Sequence, residues 1–532
     1  MKIRRDILWL AAALLFSCSC RLSFAQAANA GDIENHWART DIETVVSLGI
    51  AGGYPDGFFK PEQMVTRAEF VKMLVTACWV EPVKENEQPA FVDVGQEYWA
   101  YTCVEAADAI GILAEKNSGR LFEPERIITR AEVAAMAGRL MAKENLLDFP
   151  SAKDDRQNNW VATMKKEGII CGYPDRSLGE ESGLTRAEAC VIVLRIKNKL
   201  LTEQTERERR WIASYQSNDG YMPLDGSRRE IIPYFGNLAE MAQLGQPVFN
   251  SGVKKYLEWN LSNLNYPDLF GLNGTIYDYR LEDGVLQSVY SYDSADSYAA
   301  TLLSLVAGYY RSTGDLTFVR AHYGDLAAVA EVIVTLQDDD GLIWAKPDQQ
   351  SKYLMDNCEC YRGLKDWSFL LEEIGFEERS RLYDSKAGFI KDGILNRFWD
   401  QDRACFAWAL DQAGGKFLPQ PGQAYPGFFA QIYPATYGVI APASEKAVLA
   451  YQKLNKELPG WADLELGDPF PWVILGYAAV IMDDLSNADR FLENCRNTYI
   501  LNGRDYPWST FEAAFYIRAG DALQKKITAG VD

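Results

Sequence analysis

Two patterns of apolar and polar positions divide the chain. Between residues 31 and 200 a short amphipathic run, a polar turn region and a second helical run follow one another three times. From Thr202 onward apolar residues recur at three- and four-residue intervals. That period predicts about twelve helices, near 202–216, 233–244, 249–264, 295–312, 315–337, 355–374, 377–398, 426–439, 443–456, 469–484, 486–499 and 508–525. Twelve helices read as six hairpins, for which an (α/α)6 toroid is the natural closure. The connections are rich in Asp, Trp and Tyr, and two of them predict small β-hairpins turning at Glu282-Asp283-Gly284 and Gln412-Ala413-Gly414-Gly415. The predicted class is all-α.

The repeats share a wording. The first runs from Asp32-Ile33-Glu34-Asn35-His36-Trp37 through Gly49-Ile50 and Gly53-Tyr54-Pro55-Asp56-Gly57 to Thr66-Arg67-Ala68-Glu69. The second has Tyr98-Trp99, Gly111-Ile112, Phe122-Glu123-Pro124 and Thr129-Arg130-Ala131-Glu132. In the third, Trp160 precedes Gly168-Ile169, Gly172-Tyr173-Pro174-Asp175 and Thr185-Arg186-Ala187-Glu188. Thr with Glu three residues on is a capping box. The third copy has Arg176 where a turn glycine is expected, and its Trp160–Gly168 stretch is shorter. These marks resemble the S-layer homology family, with repeats at about 31–80, 90–143 and 148–200. The resemblance implies a three-lobed helical unit that binds secondary cell-wall polysaccharide, often pyruvylated. Arg67, Arg130 and Arg186, just inside helix N-termini, are then the expected anion-gripping residues, with Trp37, Trp99 and Trp160 beside them. The plainer reading pairs these arginines with nearby glutamates.

Residues 201–532 resemble six-hairpin glycosidases, and at two places glycoside hydrolase families 8 and 126. Glu230-Ile231-Ile232-Pro233-Tyr234 keeps a Glu-x-x-x-Tyr spacing, which implies Glu230 as general acid. Its apolar neighbours would hold its proton. Asp293-Ser294-Ala295-Asp296, followed by Tyr298-Ala299, opens a long helix, which implies Asp293 or Asp296 as the ionised partner that positions water or sugar. Against this stand an ordinary helix cap for the aspartates and an ion pair with Arg228 or Arg229 for Glu230. Tyr234, Tyr298, Asp356, Trp344, Trp408, Tyr425, Trp472 and Trp508 lie where they could bind or stack on sugars. Cys358-Glu359-Cys360 lacks a second pair at zinc spacing and reads as structural.

Composition narrows the chemistry. A net charge of −20 over 532 residues argues against nucleic acid as a partner, and two histidines leave carboxylates to carry any hydrolysis. No cofactor or metal is implied. The basic start Lys2, Arg4, Arg5, an apolar run from Ile7 to Phe16 and the sequences Ala25-Gln26-Ala27 and Ala28-Asn29-Ala30 predict a signal peptide over residues 1–30. Leu15-Phe16-Ser17-Cys18 is a poor lipoprotein signal because of the bulky Phe16, and no later segment has the apolar length of a transmembrane helix. The expected protein is a secreted, wall-anchored glycoside hydrolase acting on a polysaccharide. Its rivals are a glycan-binding envelope protein without catalysis and a polysaccharide lyase using Tyr234 or Tyr298 as base.

Overall fold

The computed structural model describes residues 31–80, 89–113, 121–144, 160–172 and 177–529. The predicted signal peptide and the Tyr173–Arg176 turn of the third repeat lie outside them. The chain divides into two compact units after Gln204, with the tail from Leu523 counted with the first. That division falls inside one uninterrupted helix, Arg186–Tyr215.

The first unit is built from α1 (Arg39–Ser47), α2 (Arg67–Ala77), α3 (Tyr101–Ala109), α4 (Arg130–Lys143), α5 (Trp160–Lys166) and the first part of α6 (Arg186–Tyr215). Thr66 and Thr129 close full capping boxes with Glu69 and Glu132, and Thr185 does the same with Glu188. The three copies are joined in a cycle. The amide of Val65 donates to the carbonyl of Leu184, that of Leu184 to Ile128, and that of Ile128 back to Val65. Around this triangle the first amides of α2, α4 and α6 donate to carbonyls of a neighbouring repeat, Arg67 to Arg126, Arg130 to Ser182 and Arg186 to Gln63. Backbone groups left open at helix starts are thus consumed in holding the repeats together.

The second unit is a ring of helices in two layers. After the rest of α6 come α7 (Pro233–Met241), α8 (Asn250–Ser262), α9 (Ala295–Thr313), α10 and α11 (Leu316–Ala321, Tyr323–Thr335), α12 (Leu354–Glu373), α13 (Glu377–Gly393), α14 (Tyr433–Thr436), α15 (Glu445–Glu457), α16 (Ile474–Ile481), α17 (Leu485–Cys495) and α18 (Thr510–Thr528). Alternate members make the inner layer. α7 packs on α9, α9 on α12, α12 on α14 and α14 on α16. The rings of Tyr477 and Phe515 join α16 to α18 (6.4 Å), and those of Phe235 and Phe511 join α18 to α7 (4.9 Å), which closes the circle. Each outer helix returns the chain, so the six inner helices run the same way and their N-termini gather at one mouth. Short sheets edge that mouth: β1 (Glu230–Ile231) pairs with β2 (Tyr279–Glu282), and β2 with β3 (Val285–Ser288). Asp283 and Gly284 both have positive φ at that hairpin turn (48° and 78°), as a two-residue turn requires. The all-α toroid expected from periodicity is the architecture found. Among the described residues no helix is long and apolar enough to cross a membrane.

Candidate functional site

The gathered N-termini line a cavity of about 550 Å³. Its wall carries five carboxyl groups, Asp278, Asp293, Asp356, Asp468 and Glu512, and among the described residues no Lys, Arg or His. Aromatic rings supply much of the remainder, including Tyr234, Tyr298, Tyr425, Trp472 and Tyr506. Two of the positions follow from one rule. Asp356 and Glu512 are each the third residue of an inner helix, α12 and α18, where acidic residues suit the free amides and the dipole. Within a six-membered ring α12 and α18 stand three places apart, so these carboxyls face each other across the mouth.

The environment of the carboxyls favours protons. Burial, followed by the nearby charge of Asp293, raises the pKa of Asp356. Burial brings Asp278 up to about 7 against the hydroxyl of Tyr298, which donates to it at 2.9 Å. Burial likewise pushes Glu512 up to about 8, while one of its oxygens accepts the amide of Val473 at 2.8 Å, a bond that favours the charged form. The other oxygen, Oε1, is buried with no partner. Beneath the cavity Glu359 accepts the hydroxyls of Tyr234 (2.8 Å) and Tyr437 (2.9 Å) and is raised to about 8, chiefly by burial. The ring of Tyr425 stacks on that of Trp472 at 4.5 Å, an apolar platform at the rim.

Of the residues singled out from sequence, Asp293, Asp356, Tyr234, Tyr298, Tyr425 and Trp472 line the cavity. Glu230 does not. It sits on β1 with half its side chain exposed, and its neighbour across the ladder, Arg280, pairs with it at 3.5 Å. Ile231, next on the strand, is buried on the opposite side and Ile232 lines the cavity, so neither shields Glu230; its ion-pair partner is Arg280 rather than the expected Arg228 or Arg229. Asp296 lies under the cavity, fully buried, with one oxygen on the amide of Ser297 and its pKa raised by burial and by Asp356; it is not the ionised partner expected. Trp344 lies beneath Lys352, Trp408 packs on Phe417, and Trp508 is core, its indole N–H donating to Glu208. None of the three lines the cavity. Burial and Asp278 raise the pKa of the Tyr298 phenol, and burial and Glu359 that of Tyr234. Sequence reasoning missed Asp278, Asp468 and Glu512. Glu512 repeats the signal of Asp356, an acid in the first turn of an inner helix, and was legible by that analogy.

In the first unit the three arginines serve the cycle. Arg67 pairs with Glu132 and donates to the carbonyl of Phe122. Arg130 pairs with Glu188 and donates to Leu178 and Cys171. Arg186 lies 3.8 Å from Glu69 and donates to Phe59 and Gly52. Each capping glutamate is thus the partner of another repeat's arginine. Each guanidinium and the helix amides beside it are therefore bonded within the protein. Trp37 and Trp99 are 66% and 52% exposed, whereas Trp160 is 7% exposed against Gly138. The third copy does depart from the others, at the tryptophan.

The S-layer homology domain model matches residues 31–71. An amylopullulanase of Thermoanaerobacterium thermosulfurigenes is 32% identical over 178 residues, 32% of this chain and 9% of that protein. A cellulosome-anchoring protein of Acetivibrio thermocellus is 29% identical over 155 residues, 27% of this chain and 34% of that one. The S-layer protein sap of Bacillus anthracis is 27% identical over 181 residues, 33% and 22% of the two chains. The chain thus spans between 9% and 34% of the length of these relatives. Among solved structures, a glycosidase is 13% identical with a TM-score of 0.46, covering 61% of this chain and 96% of that one. A family 78 rhamnosidase of Bacillus sp. GL1 is 12% identical with a TM-score of 0.40, covering 60% and 34%. The chain therefore carries an S-layer homology domain at residues 31–71, ahead of an all-α ring with an acidic, aromatic cavity at its mouth.

Proposed function

We infer that this protein is a glycoside hydrolase held at the cell wall by its N-terminal repeats. The observation that carries the catalytic reading is the placement of Asp356 and Glu512 at matching positions of opposed inner helices, around one cavity lined by aromatic rings. Hydrolysis of a glycosidic bond wants a carboxyl on each side of it, one giving a proton to the leaving oxygen and one assisting the attack of water or of itself. The charge of Asp293 opposes ionisation of Asp356, which suits the acid. The amide on Glu512 favours its carboxylate, which suits the base, although burial works the other way. The wall offers a uronate no cation to pair with, so the substrate class is a neutral or amino-sugar polysaccharide rather than the acidic polymer a lyase needs. Repeats of the kind at residues 31–71 supply the anchor to secondary wall polysaccharide, through the exposed Trp37 and Trp99.

The test is a screen of the full chain against neutral glucans, xylan and chitosan, read by new reducing ends. Asp356→Asn and Glu512→Gln should each lower the rate on the order of 10²-fold or more, and Glu230→Gln should leave it unchanged. An aryl glycoside with a good leaving group should restore the Asp356→Asn protein far more than Glu512→Gln, because such a group departs without an acid. Full activity in both cavity variants refutes the assignment. Saturable sugar binding with no product on any polymer favours a glycan-binding envelope protein instead.

A further inference from the structure

The ring has a second cavity, of about 500 Å³, further along its inner helices. It is lined by successive turns of them: Leu238 and Met241 on α7, Thr301, Ser304, Gly308 and Arg311 on α9, Glu359, Arg362 and Asp366 on α12, Tyr477 on α16 and Arg518 on α18. Its character is the reverse of the first. Arg311 and Arg362 converge on the single carboxylate of Asp366, at 2.8 Å and 2.6 Å, with a further Arg362 bond at 2.8 Å. Two guanidinia on one carboxylate leave one positive charge. Arg518 adds another. Its guanidinium lies against the rings of Tyr477 (4.6 Å) and Phe515 (4.9 Å), and among the described residues no carboxylate, carbonyl or hydroxyl accepts a hydrogen bond from it. A guanidinium presents five N–H donors in a fixed fork matched to a carboxylate or phosphate. The remaining acid of the cavity, Glu359, is held toward its neutral form chiefly by burial, against the smaller opposing pull of the Arg518 charge, and is turned to Tyr234 and Tyr437.

We propose that this second cavity binds a small oxyanion, the carboxylate or phosphate of a molecule no larger than a sugar acid, in the fork of Arg518 with Arg311 and Arg362 beside it. The site needs no catalysis at the acidic mouth and stands apart from that reading. An anion there would sit on the side of Glu359 away from the first cavity, next to the Tyr437 hydroxyl that Glu359 accepts.

Thermal melting of the full chain tests it, with sodium phosphate and sodium glucuronate as probes against sodium chloride at matched ionic strength, and glucose as the neutral control. A ligand that binds only the folded state raises the melting temperature in a saturable way. At least one of the two anions should do so in the millimolar range, glucose should not reproduce the effect, and which anion responds separates phosphate from carboxylate as the source. Arg518→Gln should weaken the response tenfold or more, and Arg518→Lys should keep part of it. Because no described residue accepts a hydrogen bond from Arg518, the variant's melting without anion reports whether it has folded; if it has not, Arg311→Gln, with Arg362 still on Asp366, serves as the second test. No saturable response to either anion, or the same response in folded Arg518→Gln, overturns the proposal.

Discussion

Glu240, buried on α7, has one carboxylate oxygen with no hydrogen-bond partner, and burial alone lifts it to about 8. An unfolded glutamate ionises near 4.3, so between those values the folded chain holds a proton the unfolded chain has released. Stability must therefore fall as pH rises from about 4.5 to 8 and level off beyond. Glu240→Gln keeps the shape and removes the titration. It should match the parent below about pH 4.5 and exceed it by a few kcal/mol at pH 8, measured by urea unfolding at several pH values. A parent whose excess loss across that range equals the variant's would show that Glu240 is hydrated or paired after all. The comparison with Glu230 is instructive, because both are glutamates near apolar residues in sequence, and only the burial of one distinguishes them.

At the scale of elements, close approach of helices decides what a glycine is for. A Cβ on Gly363 of α12 would lie 2.6 Å from the Cα of Ala300 on α9, whereas one on Gly388 of α13 would meet nothing within 4 Å. Gly363→Ala should cost about 1–3 kcal/mol by overpacking the inner pair. Gly388→Ala should gain about 0.5–1 kcal/mol from helix propensity. Denaturant midpoints of the two proteins should move in opposite directions from the parent, and a stabilised Gly363→Ala would mean α9 and α12 are less tightly packed than described. The capping boxes are a second case. Their threonines satisfy the helix starts, and their glutamates serve twice, as caps and as partners of Arg67, Arg130 and Arg186.

For the molecule in its setting, two kinds of variant separate wall binding from folding. Removing Arg130, which is 4% exposed and bonded to two carbonyls, would leave Glu188 and those carbonyls without it. Such a change is destabilising, and lost wall binding in Arg130→Ala would report unfolding. Trp37→Ala and Trp99→Ala leave the cycle intact. Together they should lower sedimentation with sacculi that retain their accessory polysaccharide by about tenfold or more, at unchanged melting temperature, if stacked indoles hold the sugar. Trp160→Ala should instead lower the melting temperature, since that ring is core. Equal sedimentation of the parent and the Trp37, Trp99 double variant would move the wall contact to another surface.

The sequence by itself determined the helices and their kind. Periodicity placed the segments near 295–312, 355–374 and 377–398 within a few residues of α9, α12 and α13 with the turn that follows it, because burial of one face writes itself into every third or fourth position. Repetition disclosed the N-terminal copies for the same reason, and Thr-x-x-Glu is a local interaction that needs no distant partner. What only the tertiary structure decided is where each side chain looks. Asp356 and Glu512, 156 residues apart in sequence, meet because ring closure sets α12 opposite α18, a long-range fact with no local trace. Arg67, Arg130 and Arg186 looked free at helix starts, and the glutamates that occupy them come from other repeats. Glu230 looked shielded by Ile231 and Ile232, and pairing of β1 with β2 turned it to Arg280 and to solvent. Local periodicity is fixed by neighbours along the chain, whereas the protonation and availability of a charged group depend on burial and on partners that only packing supplies.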